Sequence, residues 1–92
     1  MTIKVHSFSK DEFKVTVLSN QKSEHSVKIT DNYHNQLTNG KLSKTELIKL
    51  SFEFLLEREP NTSILSEFDL SVISNYFPEY NDFVRKFCKE AD

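Results

Sequence analysis

The chain has one cysteine, one glycine, two prolines and no tryptophan in 92 residues. Each scarcity closes off a class of protein. With Cys88 alone, no intramolecular disulfide can form and no four-cysteine zinc site can be written. With Gly40 alone, there is no phosphate-cradling glycine loop, no dinucleotide fingerprint and no G-x-S-x-G nucleophile elbow. No apolar run approaches the length that spans a bilayer, and the N-terminus lacks the apolar stretch of a secretory signal. The expectation is a soluble, cytoplasmic protein with no membrane partner. Asn61-Thr62-Ser63 spells a glycosylation acceptor, which is idle without export.

What is present favours one domain over residues 1–92. Hydrophobic residues make up 37% of the chain and eight residues are Phe, so the core is expected to be built around rings. Net charge is −2, unevenly spread. Residues 1–42 carry six Lys against four acids, and residues 43–92 carry six Lys or Arg against ten acids. That gradient can orient an encounter with a partner but is too weak to imply nucleic acid.

The strongest structural signal lies in residues 43–60. Ser43 and Glu46 fit the S-x-x-E capping box, and Pro60 ends what they start. Between them Leu47, Ile48, Phe52 and Leu55 form one stripe, widened by Leu50, Phe54 and Leu56. A helix this apolar, about 43–59, needs cover on more than one side. Three alternating runs precede it, with Ile3 and Val5, then Phe13, Val15 and Val17, then Val27 and Ile29 on one face. They predict a three-stranded antiparallel meander packed on the helix, and hence an α+β fold. Residues opposite across a hairpin share a face, so Val5 must pair with an odd-numbered neighbour such as Val17, across a loop at Lys10-Asp11-Glu12. Val17 would face Val27 across a loop around Lys22. Asp31 is the expected cap of a short helix ending at Asn39-Gly40. Ile64, Leu65 and Phe68 suggest a short turn, and Asp69 caps a segment carrying Leu70, Val72, Ile73 and Phe77. Pro78 suits the first position of a last helix, whose inward stripe is Tyr80, Phe83, Val84 and Phe87, with Cys88 beside it. The expected core is Ile3, Val5, Phe13, Val15, Val17, Val27, Ile29, Leu37, Leu47, Ile48, Phe52, Leu55, Leu65, Phe68, Leu70, Ile73, Phe77, Phe83 and Phe87.

Two resemblances add expectations. Val27-Lys-Ile-Thr30, then Gly40 and Ser43-Lys-Thr-Glu-Leu-Ile48, resemble the strand, turn and second-helix start of ribbon-helix-helix proteins over residues 27–59. That likeness implies a DNA-binding dimer reading bases with Ser26, Lys28 and Thr30. Asp31 to Asn39 is short for that family's first helix, and Val27 lies inside a meander. Residues 55–80, with Leu55-Leu-Glu-Arg-Glu-Pro60 and Ile73-Ser-Asn-Tyr-Phe-Pro-Glu-Tyr80, look similar to small uncharacterised bacterial proteins, which implies no activity.

Chemistry is sparse. His6, His25 and His34 have no metal-ligand spacing, and Cys88 stands at a helix C-terminal end, where the dipole disfavours a thiolate. His25 is open between the inner end of the sheet and a loop edge. No catalytic, cofactor-binding or metal residue is expected, and the protein reads as not an enzyme. The outer sheet face gathers Lys4, Lys14 and Lys28, with His6, Phe8 and Leu18. It reads first as a solvated face, then as a protein-docking surface, then as a nucleic-acid platform. Tyr76 and Tyr80 carry polar tips that suit the rim of an interface. The expected function is a non-enzymatic protein-interaction or regulatory module with a protein partner or self-association. The alternative is a nucleic-acid-binding regulator, ribbon-helix-helix or antitoxin-like, using the lysine-bearing strands.

Overall fold

A computed structural model describes residues 2–90 of the chain. Strands β1 (Thr2–Ser7), β2 (Glu12–Leu18) and β3 (Lys22–Lys28) form the expected antiparallel meander. A fourth strand, β4 (Glu67–Asp69), adds parallel to β3, giving the order β1-β2-β3-β4. The segment read as a turn around Phe68 is therefore a strand. At three residues it is too short to show alternation, and it is recruited by the edge of β3.

Parity holds across the first hairpin, where Val5 faces Val15 and Ile3 faces Val17. In the second hairpin Val27 faces Phe13, and Val17 faces Ser23 instead of Val27. The second turn therefore centres on Asn20, and β3 starts at Lys22, ahead of the apolar residues Val27 and Ile29 that mark it in the sequence. Val15, Val17 and Val27 are at most 1% exposed, so each burial contributes about 1.5–3 kcal/mol to the inner face. Ile3 and Val5, on the end strand, are only half-buried.

Helix α1 (Asp31–Thr38) is capped by Thr30, whose hydroxyl accepts from the Tyr33 amide, so Asp31 is the first helical residue. Asn39 and Gly40 both take left-handed angles, φ 53° and 79°, to end it. Helix α2 (Lys44–Leu56) opens with both bonds of the Ser43–Glu46 capping box. It stops three residues short of Glu59, because the Arg58 and Glu59 amides both turn back to the Leu55 carbonyl before Pro60. Its buried positions Leu47, Ile48, Ser51, Phe52, Phe54 and Leu55 leave only a thin polar stripe through Lys49 and Glu53. The helix is wrapped as its circumference demanded.

The coat is the sheet on one side and the C-terminal helices on the other. A 3-10 turn (Asn61–Ser63) leads to β4, and Asp69 then caps a second such turn (Leu70–Val72) that runs into α3 (Ile73–Tyr76). Helix α4 (Tyr80–Glu90) buries Tyr80, Val84 and Cys88, spaced four apart. Phe87, expected inside, is 41% exposed, because Cys88 holds the inward place in that turn. The Phe54 ring meets Phe77, Tyr80 and Phe83 at centroid distances of 5.9, 5.3 and 4.9 Å, and so joins α2 to α3 and α4. Among the described residues, no helix is long and apolar enough to cross a membrane.

An ion cluster ties the β1–β2 loop to the first residues of α1 and α2. Lys44 lies 2.6 Å from Asp31 and 2.9 Å from Asp11, and Lys10 lies 2.6 Å from Asp31. Hydrogen bonds from Lys10 and then Lys44 hold the Asp31 carboxyl down, from 3.8 to about 2.

Candidate functional site

The C-terminal end of α2, the loop into β4, and α3 enclose an apolar groove of about 290 Å³. Its shape follows from local stops in the sequence. Pro60 turns the chain out of α2, β4 runs three residues, and Asp69 starts a new turn at once through bonds to the Ser71 amide and hydroxyl at 3.1 and 2.9 Å. With the chain reversing this often, the apolar side chains meet around a hollow. Leu55, Ile64, Phe68 and Ile73 form its buried lining, and Val72 and Phe77 are half-buried. Leu65 and Tyr76 stand out at its rim, 47% and 67% exposed, and Glu59 and Ser63 are its polar members.

Behind the groove sits a polar clamp centred on His25, which is 2% exposed on the inner face of β3. Its Nδ1 lies 2.7 Å from the Leu65 carbonyl, which can only accept, so Nδ1 carries the proton. Nε2 then accepts from the Ser23 hydroxyl at 2.8 Å. Asn61 donates to that same hydroxyl and to the Gln21 carbonyl, at 2.9 and 2.8 Å. The clamp fixes the loop that carries Leu65 against the start of β3. The Ser26 amide continues it by donating to the Ser66 carbonyl at 2.7 Å. His25 thus belongs to the inner end of the sheet.

The remaining candidates for chemistry are each engaged elsewhere. His34 on α1 bonds the Leu42 carbonyl through Nε2, while His6 lies on the outer sheet face with its ring 5.6 Å from Phe8. Among the described residues, no group of three or more His, Cys, Asp and Glu is placed to hold a metal ion. Cys88 is buried in α4. Arg58 stacks 3.5 Å over the Phe54 ring and donates to the Phe54 carbonyl at 2.9 Å, capping the end of α2.

The expected interaction residues divide. Lys4, His6, Lys14, Leu18 and Lys28 share the outer sheet face with exposed Phe8 beside them, as parity required. That face is not a lysine field. Glu12 sits opposite Lys28, Glu24 pairs with Lys14 and Lys22 at 3.0 and 3.3 Å, and β4 places Glu67 and Asp69 beside Ser26 and Lys28. Bonds from Lys14 and Lys22 lower the Glu24 carboxyl below its ordinary value. Tyr76 is exposed on the groove rim. Tyr80 is a correction: it is fully buried, its hydroxyl bonded to Ser51, which in turn donates to the Leu47 carbonyl at 2.7 Å. Burial pushes the Tyr80 phenol far above its ordinary value. The groove itself went unseen in the sequence, where Leu65, Phe68, Ile73 and Phe77 all read as core.

Comparison of the chain with protein-family models, curated proteins and solved structures gives no match.

Proposed function

We propose that the protein is a small, non-enzymatic interaction domain whose apolar groove receives a bulky apolar side chain of a partner protein, presented between basic residues. The groove carries this reading. It is concave and largely apolar, and two large hydrophobic side chains stand exposed at its mouth. Its volume falls at the low end of ligand sites, about 300–1,000 Å³, which suits one or two anchoring side chains. Charge selects the flanks. Residues 57–79, which carry most of the lining, hold five acids and a single arginine. That arginine is occupied over Phe54 and lies 3.7 and 3.8 Å from Glu57 and Glu79. A segment with Lys or Arg beside its anchor gains steering and specificity at such a rim.

The nucleic-acid reading ranks second. Its best support is the exposed outer face with Lys4, Lys14, Lys22 and Lys28, but the interleaved acids weaken any phosphate track. β3 is also flanked by β2 and β4, so Ser26 and Lys28 stand in the middle of a sheet and not on a ribbon free to pair.

The test is a titration of isotope-labelled protein with short peptides holding one Leu or Phe between Lys/Arg or between Glu residues. Basic-flanked peptides are expected to shift the Ile64, Leu65, Val72 and Ile73 amides, with affinity falling about tenfold in Leu65→Ser. The reading fails if no peptide moves those amides at about 1 mM. It also fails if mixed DNA or RNA binds the sheet face with a steep salt dependence.

A further inference from the structure

The sheet has two end strands, and they are protected differently. β4 is three residues long and flanked by the groove, whereas β1 runs six residues with no strand on its far side among the described residues. The ladder with β2 sets the direction of its backbone groups. The Phe8 amide donates to the Glu12 carbonyl at 3.0 Å, and hydrogen-bonded and non-bonded pairs alternate along an antiparallel ladder. His6 with Lys14, Lys4 with Thr16 and Thr2 with Leu18 are therefore the bonded pairs. The N–H and C=O groups of Ile3, Val5 and Ser7 then aim away from β2, at the open edge.

Natural edges of this length are usually blocked by lysine, proline, a bulge or an inward-pointing charge, and β1 carries one lysine, Lys4, on its outer side. β1 has none of these on its inner side, where Ile3 and Val5 are only half-buried. A second hollow of about 500 Å³ runs alongside, lined by Thr2, Ile3, Leu56, the α2 residues Lys49 and Glu53, and Glu57 just past the helix end.

We propose that this edge is a dimerisation surface and that its occupant is a second copy of the chain, pairing β1 with β1 antiparallel about a two-fold axis at Val5. Only even-sum registers keep inner residues opposite inner residues. Pairing Ile3 with Val5 would oppose Lys4 to Lys4 at the axis, which like charge disfavours. Placing Val5 on the axis pairs Ile3 with Ser7 and Lys4 with His6, and uses every outward backbone group of the strand. The same axis runs the two α2 helices antiparallel beside the seam, turning Lys49 of one copy toward Glu53 and Glu57 of the other. This mixed-sign stripe favours a second copy over a lone peptide strand, which would leave Ile3, Val5 and Leu56 without cover. The product is one eight-stranded sheet, and it does not depend on the groove.

Sedimentation of the full chain over a wide concentration range tests this. The expected result is a monomer–dimer equilibrium, weakened about tenfold or more by Val5→Pro, which removes an outward N–H that the fold does not use. Lys49→Glu, an exposed change that leaves the fold intact, is expected to weaken the dimer, and Glu53→Lys added to it to restore association. A mass that stays monomeric up to about 1 mM overturns the proposal. So does a dimer that survives both Val5→Pro and Lys49→Glu, or one lost only on Leu65→Ser, which would move self-association to the groove.

Discussion

The bond between Ser51 and Tyr80 joins α2 to α4 in a part of the core that water does not reach, since both residues are 0% exposed. Its chemistry is asymmetric. The Ser51 hydrogen is committed to the Leu47 carbonyl, so the Tyr80 O–H is the donor between the two side chains. Tyr80→Phe removes that donor and leaves a serine lone pair without its bond, a net loss of about 1 kcal/mol. Ser51→Ala is the harsher change, because it strands a phenol O–H in a dry core at a cost of about 2 kcal/mol. Alanine's better helix preference returns no more than about 0.5 kcal/mol of that. Carrying both changes removes donor and acceptor together, so the double variant is expected to lose about 1 kcal/mol, well under the sum. The coupling is then about 1–2 kcal/mol. Urea denaturation of the four proteins measures it, and melting should place Ser51→Ala roughly 10 °C below the parent, at about 4–8 °C per kcal/mol for a domain of this size. Additive losses, with coupling under about 0.3 kcal/mol, would show that the two hydroxyls do not depend on each other and refute the reasoning.

Asp31→Asn tests the ion cluster through pH. The folded carboxyl is held at about 2 against an ordinary 3.8, so its stabilisation is complete above about 3.8 and disappears as pH falls toward 2. Urea midpoints should favour the parent at pH 6 and converge with those of the variant near pH 2; a gap that is constant with pH would contradict this assignment. His25→Leu keeps bulk on the inner face but orphans the Leu65 carbonyl and frees Ser23, with an expected loss of about 2 kcal/mol. Hydrogen exchange at the Ser26 amide should accelerate more than at Val15, and equal acceleration would mean that the clamp does not hold β4.

The parts of the fold legible in the sequence are those in which one rule acts alone. The capping box and Pro60 bracket α2, and strict alternation marks β1 and β2. β3 was placed late because its first inward residues, Ser23 and His25, are polar. They fill apolar positions only because Asn61 and the Leu65 carbonyl, about 40 residues away in sequence, satisfy them. Tyr80 was misplaced for the same reason, since its phenol looks like a surface tip until Ser51 is known to face it. β4 and the groove share a further obstacle. A parallel strand depends on a distant neighbour, and a hollow depends on apolar side chains failing to fill the space between them, so local periodicity registers neither.

These long-range polar bonds also bear on why the groove persists. An apolar hollow on a small domain loses dispersion contacts, and the surrounding chain gains by collapsing into it. Collapse here would have to move Ile64 and Leu65, and the loop that carries them is held at Leu65 by His25, at Ser66 by the Ser26 amide and at Asn61 by Ser23 and Gln21. Releasing the buried His25 or Asn61 side chain leaves a polar group stranded at about 1–3 kcal/mol, comparable to what closing the hollow would recover. The opposite wall is fixed just as firmly, by Asp69 at the start of its turn and by Phe77 against Phe54. Under the proposed function, a concavity stiffened on both sides is already shaped for its anchor, so binding there need not bear the entropy of ordering the site.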